Sequence, residues 1–400
     1  MRDERQVLEI LGRERPLFLK DLERHHQEVS ERIPGASFLV LGGAGSIGQE
    51  LVKAIFPYQP GRLHVVDVSE NNLVELVRDL RSSLGYIDGD FRTLALDCGA
   101  PEFEAFWRSS PRYDAVLNLT ALKHVRSEKD PFTLMRMLRT NVLNTERTLQ
   151  QAIARGVPRY FAVSSDKAAH PANAMGASKR AMELCLIRAS DRIHVSSTRF
   201  ANVAFSDGSL LQGFGHRLAK RQPLAAPLGV QRYFITGSEA GRLCLLAAVL
   251  GDNLETFIPA PDDRFQALDF RSIAERYLRS HGLEPVACES EEEARGSVED
   301  LAARGHWPCF FQAGDTTGEK PLEEFTIDGE EVVTDRFEEI DVIRWRRTEG
   351  EGRRLDHFLG ELRTALEGGS WSREQLLDEI RSLVPEFQHR ETGEFLDARM

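Results

Sequence analysis

The sequence predicts an α/β fold: a doubly wound parallel sheet, a smaller lobe towards the C-terminus, and helical segments at both ends. Three observations carry this expectation. Apolar strand-like runs alternate with helix-like stretches from Ser37 to Phe200. Those runs are continuously apolar, as strands covered on both faces are. The first of them, SFLVLG, runs straight into a glycine-rich turn and a helix. With 400 residues, 41% of them hydrophobic, the chain has material for one large or two medium domains.

Residues 1–34 are charged and helical in pattern, with Leu8, Ile10, Leu11, Leu17, Leu19 and Leu22 as the apolar set. Pro16 and the Pro34-Gly35 pair are breaks, so this segment stands outside the sheet as a packing or dimer element. Residues 35–201 hold the strands SFLVLG, RLHVVDV, RTLALD, DAVLNLT, RYFAVS and HVSSTRF. Between them lie helices such as SIGQELVKAIF, NNLVELVRDLRSSL and NVLNTERTLQQAIARG. Residues 202–330 turn irregular, as a substrate lobe built from insertions does, and part of this stretch is expected to return to the sheet. Within it, HGLEPVACESEEEARGSVEDLAARGHWP is acidic and ambiguous. Residues 331–400 carry two amphipathic helix candidates, LDHFLGELRTALEG and SREQLLDEIRSLV. Both ends read as solvated or subunit-packing extensions.

Composition removes several classes. There are 63 acidic and 51 basic residues, a formal charge of −12, so neither nucleic acid nor an anionic membrane is expected as a partner. Cys98, Cys185, Cys244, Cys288 and Cys309 form no CxxC pair and are odd in number. Neither a disulfide framework nor a metal site is expected, and a reducing compartment fits. The first residues, MRDERQVLEILGRERP, are too charged for a signal peptide. No apolar run nears the ~18 residues of a membrane helix. A soluble, cytoplasmic protein is expected.

Gly42, Gly45 and Gly48 follow the first strand and open a helix. The turn needs permissive dihedrals, a bound pyrophosphate needs a close backbone, and the helix start offers N–H donors and partial positive charge. Asp67 ends the next strand, where a carboxylate accepts from both adenosine ribose hydroxyls and repels a 2′-phosphate. Val68, Ser69 and Glu70 follow it with no arginine or lysine, so NAD is expected rather than NADP. The sheet is thus of Rossmann type. Asp97, ending RTLALD, either faces the adenine or simply caps the strand end.

A second constellation lies in SSDKAAHPANAMGASK, Ser164 to Lys179, entered from the strand RYFAVS. An acid, Asp166, and a base, Lys167, stand side by side at a strand's C-terminal end, where open parallel sheets bind ligands. Alone, SSDK also fits a charged turn without chemistry. Beside the glycine turn and MGASK, a site is the better account.

The glycine turn, Asp67, ALKHV (Ala121 to Val125), SSDK, MGASK and TRFANV together resemble an extended short-chain dehydrogenase/reductase. More closely, they resemble the nucleotide-sugar 4,6-dehydratases of polysaccharide biosynthesis, whose type activity is on UDP-N-acetylglucosamine. SDGSLL, VQRYFITGSEA and TTGEKPLEEF are similar to that family's substrate-lobe signatures, so the resemblance runs from Ser37 to Phe325. There are departures. Ser165 stands where the family usually has Thr, Ala201 where it often has Gly, and Met175 where short-chain dehydrogenases generally have the Tyr of YxxxK. A thioether cannot carry a proton, whereas a phenol with pKa near ~10 can.

The resemblance implies NAD held by Gly42, Gly45, Ser46, Ile47, Gly48, Asp67, Asp97, Cys98, Ala121 and Lys179. It implies a redox-neutral dehydration in which hydride leaves carbon 4 of the hexose and returns to carbon 6, giving a 4-keto-6-deoxy sugar. Asp166 is then the acid towards the carbon 6 hydroxyl and Lys167 the base towards the carbon 5 hydrogen. Their ordinary pKa values, ~3.9 and ~10.4, put each in the wrong state, and burial is expected to correct both. Ser165 would hold the carbon 4 hydroxyl and Lys179 the nicotinamide ribose. With Met175 replacing tyrosine, the carbon 4 hydroxyl proton goes either to Asp166 or through a water relay at Ser165. Lys123, His124, Asn202, Ser209, Arg232 and Glu324 are candidate substrate contacts, with Glu319 and Lys320 near the nucleotide end. Arg232 suits a diphosphate, because guanidinium pairs with phosphate oxygens through two parallel donors. It also fits a plain surface arginine, and His124 a structural histidine. A nucleotide-sugar epimerase, a dehydratase that also inverts carbon 5, and an idle NAD-binding regulator are the competing readings. The resemblance implies a homo-oligomer.

Overall fold

The computed structural model describes residues 3–314, 317, 320 and 322–393. Three helices open the chain: α1 (Glu4–Leu11), α2 (Leu19–Arg24) and α3 (His26–Arg32). An alternating run follows: β1 (Ser37–Leu41), α4 (Ser46–Ile55), β2 (Arg62–Asp67), α5 (Glu70–Ser83), β3 (Asp90–Ala95), α6 (Pro101–Ser109), β4 (Ala115–Asn118), α7 (Pro131–Leu138), α8 (Asn144–Ala154), β5 (Arg159–Val163), α9 (Ala174–Ala189) and β6 (His194–Thr198). Every pairing among these strands is parallel, in the order β3-β2-β1-β4-β5-β6. The order reverses between β1 and β4, which opens a crevice at the strands' C-terminal ends. β1 and β5 are buried from their second residue onward, as their unbroken apolar text requires. Helix α9 is buried on nearly every side, because α15 (Glu351–Gly368) and α16 (Arg373–Leu383) cover the face that a surface helix leaves wet.

The chain then leaves the sheet through β7 (Asn202–Val203), α10 (Leu210–Ala219), β8 (Leu224–Leu228), β9 (Gln231–Arg232) and β10 (Phe234–Ile235). Helix α11 (Gly237–Leu250) and β11 (Glu255–Pro259) return to the sheet, where β11 pairs parallel with β6. A second excursion comprises β12 (Leu268–Asp269), α12 (Phe270–Arg279), β13 (Glu284–Cys288), α13 (Glu291–Gly296), α14 (Val298–Ala302) and β14 (His306–Ala313). The acidic stretch that is ambiguous in sequence is therefore a parallel strand-helix-strand unit, and β14 joins it to β8. Finally β15 (Glu331–Val333), β16 (Ile340–Arg344), α15 (Glu351–Gly368) and α16 (Arg373–Leu383) close the chain.

Residues 331–344 differ from the helical extension expected of them. They form two antiparallel strands that extend the main sheet beyond β11, burying Ile340, Val342 and Ile343. Two apolar cores flank the sheet, one under α6–α9, α15 and α16, the other under α2–α5 and α11. A third fills the smaller lobe beneath α1, α10 and α12.

Among the described residues, neither end is a solvated extension. Val7, Ile10 and Leu11 of α1 enter the lobe core, while Leu17, Phe18, Val29 and Ile33 enter the sheet core. Beyond α16, the backbone N–H groups of Gln388 and Arg390 donate to the carbonyls of Pro171 and Ala172, each at 3.0 Å. The C-terminal segment thus lies across the SSDKAAHPANA loop.

Candidate active site

The crevice at the strand-order reversal deepens into a cavity of about 520 Å³ between sheet and lobe. Its walls bring together residues far apart in sequence. Gly42, Gly45, Ser46, Ile47 and Gly48 form one side; Ala121, Lys123 and His124 follow β4; Ser165 and Lys167 follow β5; Met175 and Lys179 come from α9; Asn202 and Ser209 come from the lobe. Two surface depressions of about 560 and 720 Å³ contain none of the candidate residues.

The glycine turn is built for close approach. The Gly42 N–H donates to the Val66 carbonyl at 2.8 Å, folding the turn onto β2. A Cβ on Gly48 would stand 2.2 Å from the Gly42 oxygen, so no side chain fits there. The N-cap of α4, Gly45, provides no side-chain acceptor, which leaves the helix start open towards the cavity. Asp67 lies beneath, its Oδ2 accepting the Ala44 N–H at 3.0 Å and its Oδ1 the Ser69 N–H at 2.9 Å. Four lone-pair positions on a carboxylate leave room for further donors. Asp97 is exposed, two residues past β3, and its Oδ1 accepts the Gly99 N–H at 2.8 Å, so here it caps a turn. Cys98 is buried, and burial pushes its thiol up to about 12; it packs in the core and does not line the cavity.

Beyond β5 the chain enters a short 3-10 turn, Asp166–Ala168. Asp166 is 1% exposed. Its Oδ1 accepts from Ser165 Oγ at 2.7 Å, from its neighbour's backbone, Lys167 N, at 2.8 Å, and from Lys167 Nζ at 3.1 Å. Three donors thus converge on one oxygen. Lys167 Nζ also reaches Asn202 Oδ1 at 3.4 Å and Glu323 Oε1 at 3.9 Å. Helix α9 seats against this turn at Gly176, where a Cβ would fall 2.2 Å from the Lys167 carbonyl oxygen. One turn further along α9, Lys179 donates to the Val163 carbonyl at 2.8 Å, and burial pulls its ammonium down to about 8. Met175 stands at the start of α9 as apolar wall, 4% exposed.

A buried ion network lies under this turn. Ser164 Oγ donates to Glu183 Oε1 at 2.6 Å, and Arg199 donates to both Glu183 and Glu330. Burial alone would push Glu183 up; the Arg199 guanidinium outweighs it and holds the carboxyl below its usual range. The network joins β5, β6, α9 and the loop before β15, fixing the strand end from which Ser165 projects.

The opposite wall is more mixed. Lys123 donates to Ser206 Oγ at 3.1 Å, linking the β4 loop to the lobe. His124 packs so closely on Gly208 that a Cβ there would lie 2.7 Å from its Nε2. Both side chains are exposed to the open cleft, yet the surrounding protein desolvates them enough to lower both pKa values. Ser209 caps α10, its Oγ accepting from Gln212 N at 3.2 Å. Arg232 is not a surface arginine: it is 6% exposed and donates to the carbonyls of Gln231 and Lys320, each at 2.8 Å. It is not among the described residues lining the cavity. Glu319 lies outside the described residues. Glu324 is exposed, whereas its neighbour Glu323 is 4% exposed and faces Lys167 and Lys320. Burial raises Glu323 against the pull of Lys167, Arg232 and Lys320. In the text PLEEF the two glutamates are indistinguishable, and only the fold shows which one points inward.

Strand order, the glycine turn and the serine, lysine and α9 lysine around one crevice define an extended short-chain dehydrogenase/reductase. Within that class, the chain belongs to the polysaccharide biosynthesis protein family, whose model matches residues 38–344. It is 29% identical over 327 residues to an uncharacterized membrane protein of Methanocaldococcus jannaschii, covering 79% of this chain and 88% of that one. The probable polysaccharide biosynthesis protein EpsC of Bacillus subtilis is 30% identical over 58% of this chain, which spans 39% of EpsC. A UDP-N-acetylglucosamine 4,6-dehydratase (inverting) of Campylobacter jejuni is 27% identical over 46% of this chain and 54% of its own length. Among solved structures, a dTDP-glucose 4,6-dehydratase from Streptomyces venezuelae with NAD bound shares the fold, with a TM-score of 0.55 and 19% identity over 72% of this chain and 88% of that one. Among the described residues, no helix is long and apolar enough to cross a membrane.

Proposed function

We propose that this protein is an NAD-dependent nucleotide-sugar 4,6-dehydratase acting on UDP-N-acetylglucosamine or a related NDP-hexose. The observation that carries the proposal is the hydrogen-bonded Ser165–Asp166–Lys167 unit, in which Ser165 and Lys167 line the cavity and Asp166 is buried beside them. The open start of α4, the side-chain-free cradle at Gly48 and the carboxylate of Asp67 fit a dinucleotide without a 2′-phosphate. NAD held there would supply reversible hydride acceptance.

The protein's own groups then move protons. Ser165 Oγ takes the proton of the carbon 4 hydroxyl and passes its own along the 2.7 Å contact to Asp166. Asp166, now the acid, delivers that proton to the carbon 6 hydroxyl, which leaves as water. This route replaces the tyrosine that Met175 lacks. Lys167 removes the carbon 5 proton, exchanges it with solvent and returns a solvent-derived proton to carbon 5 of the product; Glu323 is the nearest other carboxylate to receive the ammonium proton. Positioned proton transfer of this kind contributes roughly 100- to 10,000-fold in rate. A dehydratase that also inverts carbon 5 is the second reading, favoured by the name of the Campylobacter relative.

The test is incubation of the full chain with UDP-N-acetylglucosamine, and with a panel of UDP-, GDP- and dTDP-sugars, in heavy water. Loss of water with deuterium at carbon 5 is expected, and NMR of the product separates retention from inversion there. Lys167→Ala should abolish elimination while NAD stays bound. A product of unchanged mass without solvent deuterium would mean epimerisation instead.

A further inference from the structure

A loop from the smaller lobe crosses the cleft and touches the glycine turn. Asp207, exposed on that loop, makes the contact. Its backbone N–H donates to Ser46 Oγ at 2.9 Å, and Ser46 Oγ donates to Asp207 Oδ2, also at 2.9 Å. The other oxygen, Oδ1, accepts from Gln212 Nε2 at 2.9 Å, while Gln212 Oε1 accepts the Gly208 N–H at 2.7 Å. The carboxylate is therefore fixed through both oxygens. Ser46 is the first residue of α4. Among the described residues lining the cleft, Asp207 is the only acidic one.

A lobe carboxylate thus stands at the helix end that the dinucleotide reading gives to the pyrophosphate. A helix start favours negative charge, and a carboxylate of the protein satisfies that preference as a ligand phosphate does. Two anions at one helix end repel, and at contact distance this electrostatic effect is worth an order of magnitude in an equilibrium constant. Lys123, whose amine bonds the adjacent Ser206, is a compensating cation that feels the Asp207 charge.

We propose that Asp207 is an affinity-determining residue of the cofactor site, an internal anion that a dinucleotide must displace from Ser46 or tolerate beside its pyrophosphate. The proposal rests on the dinucleotide reading of the crevice. Since the contact joins lobe to sheet, its release also frees the lobe loop when the cofactor enters.

The experiment is calorimetric titration of the nucleotide-free full chain with NAD and, separately, with adenosine, which carries no phosphate. Asp207→Asn is expected to bind NAD about tenfold more tightly at low salt, with adenosine affinity unchanged. Asp207→Lys should bind NAD more tightly still, and both gains should shrink as salt rises. Equal NAD affinity in wild type and both variants overturns the proposal. So does weaker binding by Asp207→Asn, which would make the carboxylate a supporting contact. Binding of NAD by none of the three removes the dinucleotide reading itself, and the proposal with it. Because Asp207 is exposed, neither substitution threatens the fold.

Discussion

Lys179 is the residue whose charge pH governs most directly. Burial lowers it from 10.5 to about 8, with Glu183 pulling weakly the other way. The native state therefore binds fewer protons than the unfolded chain between about pH 8 and 10.5, and stability should rise with pH across that window. Urea midpoints of wild type and Lys179→Met, compared through it, test the sign: the rise should be absent in the variant. Function should move oppositely, because the ammonium lining the cavity is lost above pH 8. NAD affinity should fall severalfold there in wild type and stay flat in Lys179→Met. At this scale much of the site was legible, because Ser165, Asp166 and Lys167 are adjacent in the chain and Met175 and Lys179 share one helical turn. Glu323 was not, since nothing local separates it from Glu324. Arg232 was assigned to a ligand on its chemistry, and its burial, with Nη1 donating to two carbonyls, is something only the fold shows.

At the scale of elements, the N-terminal segment holds the lobes together. Arg13 Nη1 and Nη2 donate to the two oxygens of Glu239, each at 2.8 Å, with side chains only 5% and 0% exposed. Glu239 also accepts the Leu17 N–H at 2.7 Å and, within a capping box, the Thr236 N–H at 2.7 Å, so one carboxylate fixes the start of α11 and the chain leaving α1. Removing Arg13 leaves a charge buried without its partner, a loss of about 3–5 kcal/mol. Arg13→Ala should therefore lower the unfolding free energy obtained from urea titration by an amount in that range, whereas Glu239→Gln with Arg13→Ala should recover part of it. NAD affinity should be unchanged in both, because the pair lies outside the cavity lining. The helical period of residues 1–34 was visible in the sequence. Their burial was not, because periodicity marks an apolar face without naming what covers it, and Glu239 is 226 residues away. The same holds for the C-terminal strap, whose backbone bonds to Pro171 and Ala172 and whose His389–Glu128 contact join residues far apart in the sequence.

For the whole molecule, the parallel half of the sheet was legible because buried strands and crossover helices leave a repeating text. Residues 331–344 were less so: three- and five-residue strands in a charged context give too short a pattern to separate from a helix. Net charge poses a question only the assembled fold answers. The chain carries −12, which taken alone repels an anionic nucleotide sugar. Yet Lys123, Lys167 and Lys179 face the cavity against Asp207 alone among the acidic lining residues. The remaining charges spread over 17474 Å² of surface, mostly further from a bound diphosphate than the Debye length of about 10 Å at 0.1 M salt. Near charges should therefore outweigh the distant excess. Raising salt from roughly 0.05 to 0.5 M should increase KM for the nucleotide sugar by about threefold, with kcat little changed. Steady-state kinetics across that range give the sign: a KM that falls with salt would mean the global field dominates and the cavity lysines do not reach the diphosphate.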